Sequence, residues 1–240
     1  PFVGRETEVA ALTQMLDSPE VRLIAILGPG GMGKSILAQQ ISVDVRRSET
    51  FADGVYWISF APLCSSDAIL STIAAALPYP LGAGLDLESR LVSTLANKQM
   101  LFVLDNFEHV LDGAPLVSRL LNAAPGIKTL ITSRERLNLR NERVFELHGL
   151  SVPGPKEDPL RTPFDAIDLF QKRAQQAGLG FTMNSQNASD IARICRLVEG
   201  MPLALELAAS WTPLLSCAEI VREIETNLDF LTSPTRDIPE

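Results

Sequence analysis

Apolar residues along the chain fall into short solid runs separated by segments with helical spacing. Residues 21–27 form a β-branched run that ends in glycine and predict a buried strand. Residues 36–46 follow with apolar positions at helical intervals. The alternation continues with a strand at 55–60, a helix at 67–77 that stops at Pro78, and a helix at 87–96. A third buried strand is predicted at 100–105, a helix at 114–124, a fourth strand at 128–133 and a weaker fifth at 143–148. Strands separated by helices require crossover connections, which are right-handed and give a parallel sheet covered on both faces.

The pattern changes near residue 150. Pro153, Pro155, Pro159 and Pro163, together with Gly154, fall within 151–163 and disfavour regular structure there. Beyond them only helical spacing is found, at 164–177, 189–197, 203–211 and 218–227. The expected organisation is an α/β domain over 1–150, a Pro-rich linker over 151–163 and a smaller all-helical domain over 164–240.

Composition supports folded domains: 46% of the residues are hydrophobic and 21% charged. The net charge of −8 argues against a non-specific nucleic-acid surface, which needs clustered Lys and Arg. Direct nucleic-acid contact is therefore not expected from this chain. Cys64, Cys195 and Cys217 lie far apart with no paired spacing, so reduced thiols and a cytoplasmic location are expected. No apolar run of about 18 residues is present, and no membrane span is expected. The opening Pro1-Phe2-Val3-Gly4-Arg5-Glu6 resembles neither a signal peptide nor a natural start, and predicts a piece of a longer protein.

The strand at 21–27 leads into Gly28-Pro29-Gly30-Gly31-Met32-Gly33-Lys34-Ser35, which fits the phosphate-loop pattern G-x-x-x-x-G-K-[ST]. Glycines let the backbone turn tightly and direct N–H groups at phosphate oxygens, and the following helix presents its positive end to the anion. In this reading Gly28, Gly30, Gly31, Met32, Gly33, Lys34, Ser35 and Ile36 surround a nucleotide. Lys34 reaches the β- and γ-phosphates, and the Ser35 hydroxyl serves Mg²⁺. The alternative is a glycine-rich turn between strand and helix, but the flanking strand and helix supply the context the motif requires.

An apolar strand ending in Asp105 offers the acid that holds the Mg²⁺ shell opposite the loop serine. Standing alone, Asp105 reads equally well as a cap on the next turn. Asn106 follows and cannot act as a base. Glu108 can, although an exposed loop glutamate is the commoner explanation. The run Lys128-Thr129-Leu130-Ile131-Thr132-Ser133 ends at Arg134, which either reads the γ-phosphate or belongs to a charged surface patch with Glu135 and Arg136.

Four motifs together resemble a known family. They are Val3-Gly4-Arg5-Glu6, Leu104-Asp105-Asn106-Phe107-Glu108, Thr132-Ser133-Arg134 and Gly200-Met201-Pro202-Leu203-Ala204-Leu205, and they stand around the phosphate loop. The set is similar to the NB-ARC or AP-ATPase module of the STAND signal-transduction NTPases, in particular the ATPases of bacterial multidomain transcriptional regulators. The resemblance implies a P-loop NTPase fold holding ATP or ADP with Mg²⁺ between its two domains. It also implies that Val3 and Arg5 line the adenine pocket, that Arg134 is a sensor and that Pro202 packs on the base. Residues 200–203 also read as a break between two core helices, with Pro202 in the first turn of the second. Lys34, Asp105 and Arg134 become the catalytic set, and Ser35 with Asp105 the metal set.

The chain departs from the family pattern in two places. Asn106 stands where a second acid is common, which points to slow turnover. Nothing in 230–240 supplies the winged-helix domain and its diphosphate-contacting His, and neither His109 nor His148 is at that place. The expectation is a slow ATPase acting as an ATP/ADP switch, with effector and sensor domains in flanking segments and self-association on ATP. Its rivals are a module that holds ADP as a structural cofactor, and a faster P-loop ATPase or kinase.

Overall fold

The computed structural model describes residues 2–48, 50–80, 86–178, 180–227 and 230–231. The end of the expected helical domain, residues 232–240, lies outside the described residues. The chain divides into two compact units. One comprises Glu6–Gly30 and Lys34–Leu147; the other comprises Pro1–Arg5, Gly31–Gly33 and His148–Glu240.

The first unit carries a five-stranded sheet built from β1 (Leu23–Leu27), β2 (Val55–Ser59), β3 (Met100–Asp105), β4 (Ile127–Ser133) and β5 (Glu142–Glu146). The strand order is β2-β3-β4-β1-β5 and every pairing is parallel. Every residue of β1 and β3 is buried, which is why both read as solid apolar runs rather than alternating ones. The edge strand β5 is only half-buried, matching its weaker pattern. Ile58, Phe60, Phe102, Leu104 and Phe107 lie at the centre of this unit's core, where Phe60 and Phe107 meet edge-on with ring centroids 5.6 Å apart.

The helices of this unit are α1 (Glu6–Asp17), α2 (Lys34–Arg47), α3 (Ile69–Ala76), α4 (Leu87–Leu95) and α5 (Ala114–Ala123). Helix α1 has no counterpart among the elements read from the sequence. Only Leu12 and Leu16 are buried along its twelve residues, so its apolar stripe is too thin to stand out. Its C-terminal end is fixed from outside, because the Lys128 ammonium donates to the carbonyls of Leu16 and Ser18 at 2.5 and 2.7 Å. Residues Phe107–Gly113 form 3₁₀ turns where no element was expected.

The second unit has only helices among its described elements: α6 (Asp165–Ala177), α7 (Ala188–Leu197), α8 (Pro202–Ser210) and α9 (Cys217–Thr226). Residues 151–163 contain no helix or strand. Phe170, Ile191, Ile194, Leu205 and Ile220 are fully buried in its core, and Val3 joins the same cluster. Ser216 and Glu219 form a reciprocal capping box that starts α9.

Helix α7 ends in a Schellman turn. Gly200 N–H donates to the Cys195 carbonyl and Glu199 N–H to the Arg196 carbonyl, with Glu199 in the left-handed region at φ 51°. Gly200 itself has φ 66°, and a Cβ there would stand 2.2 Å from the Leu150 carbonyl oxygen. Glycine is thus required by close backbone approach, and Pro202 then opens α8.

Candidate functional site

The site is built where β1 ends and α2 begins. Gly31 and Gly33 take φ of 76° and 87°, which folds the loop back on itself before α2 starts at Lys34. The Lys34 side chain returns over its own loop and donates to the carbonyls of Gly28 at 2.8 Å and Pro29 at 2.9 Å. Lys34 is only 8% exposed. Burial pushes its ammonium below the ordinary lysine range; Glu108 and Asp105 oppose that shift, and Arg134 adds to it. An ammonium has three donors and two are used within the loop, so one remains for a phosphate oxygen.

The parallel register sets Leu104 beside Ile131 and so carries the ends of β3 and β4 together. Asp105 Oδ1 accepts from two hydroxyls, Ser35 Oγ and Thr132 Oγ1, each at 2.6 Å. Thr132 Oγ1 in turn accepts from the Asn106 N–H at 3.0 Å. Asn106 adopts φ 58°, so the chain turns sharply after the acid. Three segments are thereby tied through one carboxylate: the start of α2, the end of β3 and the end of β4.

These oxygens suit Mg²⁺. The ion takes few protein ligands, prefers hard oxygen donors and completes its shell with water and substrate phosphates. A hydroxyl and a carboxylate already in hydrogen-bond contact match that demand. Among the described residues no group of three or more His, Cys, Asp or Glu could hold a metal ion by itself.

Arg134 follows β4, and its Nε lies 3.1 Å from Glu108 Oε1. The two side chains differ in exposure, 61% for Arg134 and 11% for Glu108. A Cβ placed on Gly30 would stand 3.5 Å from Arg134 Nη2, so the guanidinium lies against the phosphate loop. Glu108 is not the exposed loop glutamate that its sequence context suggested. The 3₁₀ turn draws it inward because Phe107, its neighbour, is fully buried.

The structure thus brings Gly28, Gly30, Lys34, Ser35, Asp105 and Arg134 together in the α/β unit. Ile36 lies on α2 there and is 53% exposed. The remaining expected residues belong to the other unit. Gly31, Met32 and Gly33 group with it, and Met32 is 8% exposed. Within that unit the Leu203 N–H donates to the Gly31 carbonyl at 3.2 Å, and Pro202 Cγ would lie 3.9 Å from a Cβ on Gly33. Arg5 is 7% exposed with φ 73°, and its Nη2 donates to the His148 carbonyl at 2.6 Å. Val3 is buried among Leu150, Ala166 and Phe170.

Sequence reasoning assigned no role to Thr132 and undervalued Glu108. Thr132 stands directly before Ser133 and Arg134, but nothing in spacing reveals which hydroxyl turns toward Asp105. Glu108 became visible only once the 3₁₀ turn was known.

The chain is similar to several known proteins. The model of the NB-ARC domain family matches residues 5–176. The chain is 35% identical over 221 residues to the uncharacterized protein Rv0894 of Mycobacterium tuberculosis, covering 92% of this chain and 53% of that protein. It is 33% identical over 216 residues to Rv0890c of the same organism, described as an HTH-type transcriptional regulator, covering 90% of this chain and 23% of the regulator. The regulatory protein AfsR of Streptomyces griseus is 27% identical, with 92% of this chain and 22% of AfsR covered. The chain therefore spans about half the length of the first of these relatives and less than a quarter of the others.

Two solved structures share the fold. The STAND protein PH0952 of Pyrococcus horikoshii, which has a tetratricopeptide repeat sensor, aligns with a TM-score of 0.55 at 17% identity, covering 94% of this chain and 32% of that one. Cdc6p of Pyrobaculum aerophilum aligns with a TM-score of 0.61 at 18% identity, covering 92% and 66%.

Proposed function

The chain belongs to the NB-ARC family, and from that premise we propose that it is an adenine-nucleotide switch that binds ATP and ADP with Mg²⁺ and hydrolyses ATP slowly. The observation that carries this reading is the bonded set Ser35–Asp105–Thr132 beside a Lys34 folded over its own loop. Lys34 meets the β- and γ-phosphates, Ser35 and Asp105 take the metal, and Arg134 reads the terminal phosphate. Val3, Arg5 and Pro202 serve the adenine. Bound Mg²⁺ supplies charge neutralisation on the phosphate oxygens. Water attacks the γ-phosphorus in line, the bond to the β-phosphate oxygen breaks, and ADP and phosphate result.

Slow turnover follows from Asn106. It stands where a second acid would orient the water, and its backbone N–H is committed to Thr132. The same observation favours a second reading, in which ADP is held as a structural cofactor and never turned over. The lengths of the relatives support effector and sensor segments elsewhere in a longer chain, and the net charge of −8 argues against a non-specific nucleic-acid surface on this one. Self-association on ATP belongs to the same proposal.

Steady-state and single-turnover ATP hydrolysis by the purified chain test it. Turnover well below about 1 s⁻¹, the low end for kinases, with one ADP released per site, is the expected result. Faster turnover would overturn the switch reading. Bound ADP that survives purification without any turnover would establish the structural-cofactor reading instead.

A further inference from the structure

Glu108 beside the phosphate loop carries one oxygen with no partner. Its Oε1 pairs with Arg134, while its Oε2 is buried and has no hydrogen-bond partner. A buried, half-satisfied carboxylate is costly, and its position calls for a reason. Glu108 also acts on Lys34 more strongly than Asp105 does, so it lies within the field of the phosphate loop. On its other side the Arg134 guanidinium rests against Gly30. The cation expected to read a terminal phosphate is therefore already engaged by an anion fixed in the protein.

We propose that Glu108 is a positioning residue that holds Arg134 against the phosphate loop and competes with the terminal phosphate of a nucleoside triphosphate for that guanidinium. This rests on the reading that Arg134 senses the γ-phosphate. The carboxylate and the γ-phosphate are like charges with the same partner. A triphosphate must share or displace the Glu108–Arg134 pair, whereas a diphosphate leaves it intact. The pair thereby biases the resting site toward the diphosphate. It is a restraint set by charge rather than by shape, so an isosteric neutral side chain should release it. Glu108 needs no contact with the nucleotide to do this; it acts through Arg134.

The test is equilibrium displacement of a fluorescent ADP analogue by ADP and by a non-hydrolysable ATP analogue, with Mg²⁺ at fixed ionic strength. Compared are the unsubstituted chain, Glu108→Gln, Glu108→Ala, Arg134→Ala and the Glu108→Gln/Arg134→Ala double variant. ADP affinity should stay within about twofold in the Glu108 single variants. Glu108→Gln should raise the ATP:ADP affinity ratio about tenfold, which is ~1.4 kcal/mol. Glu108→Ala should move it in the same direction and decides the matter if Glu108→Gln does not fold. In the Arg134→Ala background the Glu108→Gln gain should fall below about threefold.

An unchanged or lowered ratio in the Glu108 variants would overturn the proposal. So would a full gain that persists without Arg134, which would make Glu108 a direct repellent of the phosphate. If Glu108→Gln slows hydrolysis with the ratio unmoved, Glu108 is a base and not a restraint. If the unsubstituted chain binds no ADP, the nucleotide reading itself fails, and the restraint with it.

Discussion

Replacing Thr132 by valine keeps the shape of the side chain and removes one oxygen. That oxygen serves two hydrogen bonds at once, donating to Asp105 Oδ1 at 2.6 Å and accepting from Asn106 N–H at 3.0 Å. Thr132 is 1% exposed and Asp105 7%, so water replaces neither partner readily. A hydrogen bond to a charged group contributes about 1.5–3 kcal/mol, and a stranded donor costs about 1–3 kcal/mol. The Asn106 end is only partly buried, which trims the sum to roughly 2–4 kcal/mol. For a chain of this size that corresponds to a fall in Tm of roughly 5–15 °C, at about 2–4 °C per kcal/mol.

Urea unfolding followed by circular dichroism, with a parallel thermal melt, gives the number. Thr132→Ser keeps the hydroxyl and loses one methyl, so it should cost about 1 kcal/mol or less. In an Asp105→Asn background the valine substitution should cost at least about 1 kcal/mol less than it does alone, because the two residues share the bond. A Thr132→Val loss below about 0.5 kcal/mol would refute the reasoning. So would a serine variant as unstable as the valine one.

Other perturbations probe separate parts of the structure. Lys34→Ala should remove measurable nucleotide binding while the apo fold persists, as read by calorimetric titration and far-UV dichroism. Arg134→Ala should leave ADP affinity within about twofold and remove any preference for ATP; a retained preference would remove Arg134 from its role as sensor. Phe170 is fully buried and meets Phe181 edge-on at 6.0 Å, so Phe170→Ala should cost the helical unit about 3–5 kcal/mol in urea unfolding. At pH 8 a chromogenic disulfide reagent should label exposed Cys64 alone, because burial pushes the thiols of Cys195 and Cys217 up to about 12 and about 11. The folded chain then holds those protons longer than the unfolded one. Their contribution is complete below about pH 9 and is lost as pH rises toward 12, so alkaline melts should show a declining Tm.

The sheet was legible because its central strands are buried on both faces. Solid runs such as Met100–Asp105 are too short for a helix, and polar residues bound this one on both sides, at Lys98-Gln99 and Asn106. Boundaries shifted where side chains serve purposes other than strand burial. Residue 21 begins the apolar run, yet β1 starts at Leu23; Arg22, inside the run, spends its guanidinium on the carbonyls of Leu121, Ala124 and Ile127. Helix α1 was missed for want of apolar residues, and its end depends on Lys128, more than a hundred positions away. The phosphate loop was legible because its chemistry is local and demands glycine at fixed offsets. Thr132 and Glu108 were not, because their roles depend on strand register and on a 3₁₀ turn, neither of which leaves a periodic mark. Arg134 was named from the sequence, but its ion pair was beyond reach until Glu108 was seen to fold inward.

Everything proposed above depends on whether the loop from Gly28 to Ser35 holds an adenine nucleotide. Isothermal titration of the chain with ADP, with and without Mg²⁺, tests it most directly, alongside Lys34→Ala. Saturable one-to-one binding is expected, which Mg²⁺ strengthens, the substitution abolishes and GDP does not match. No binding by the unsubstituted chain, or binding undiminished in Lys34→Ala, would contradict it.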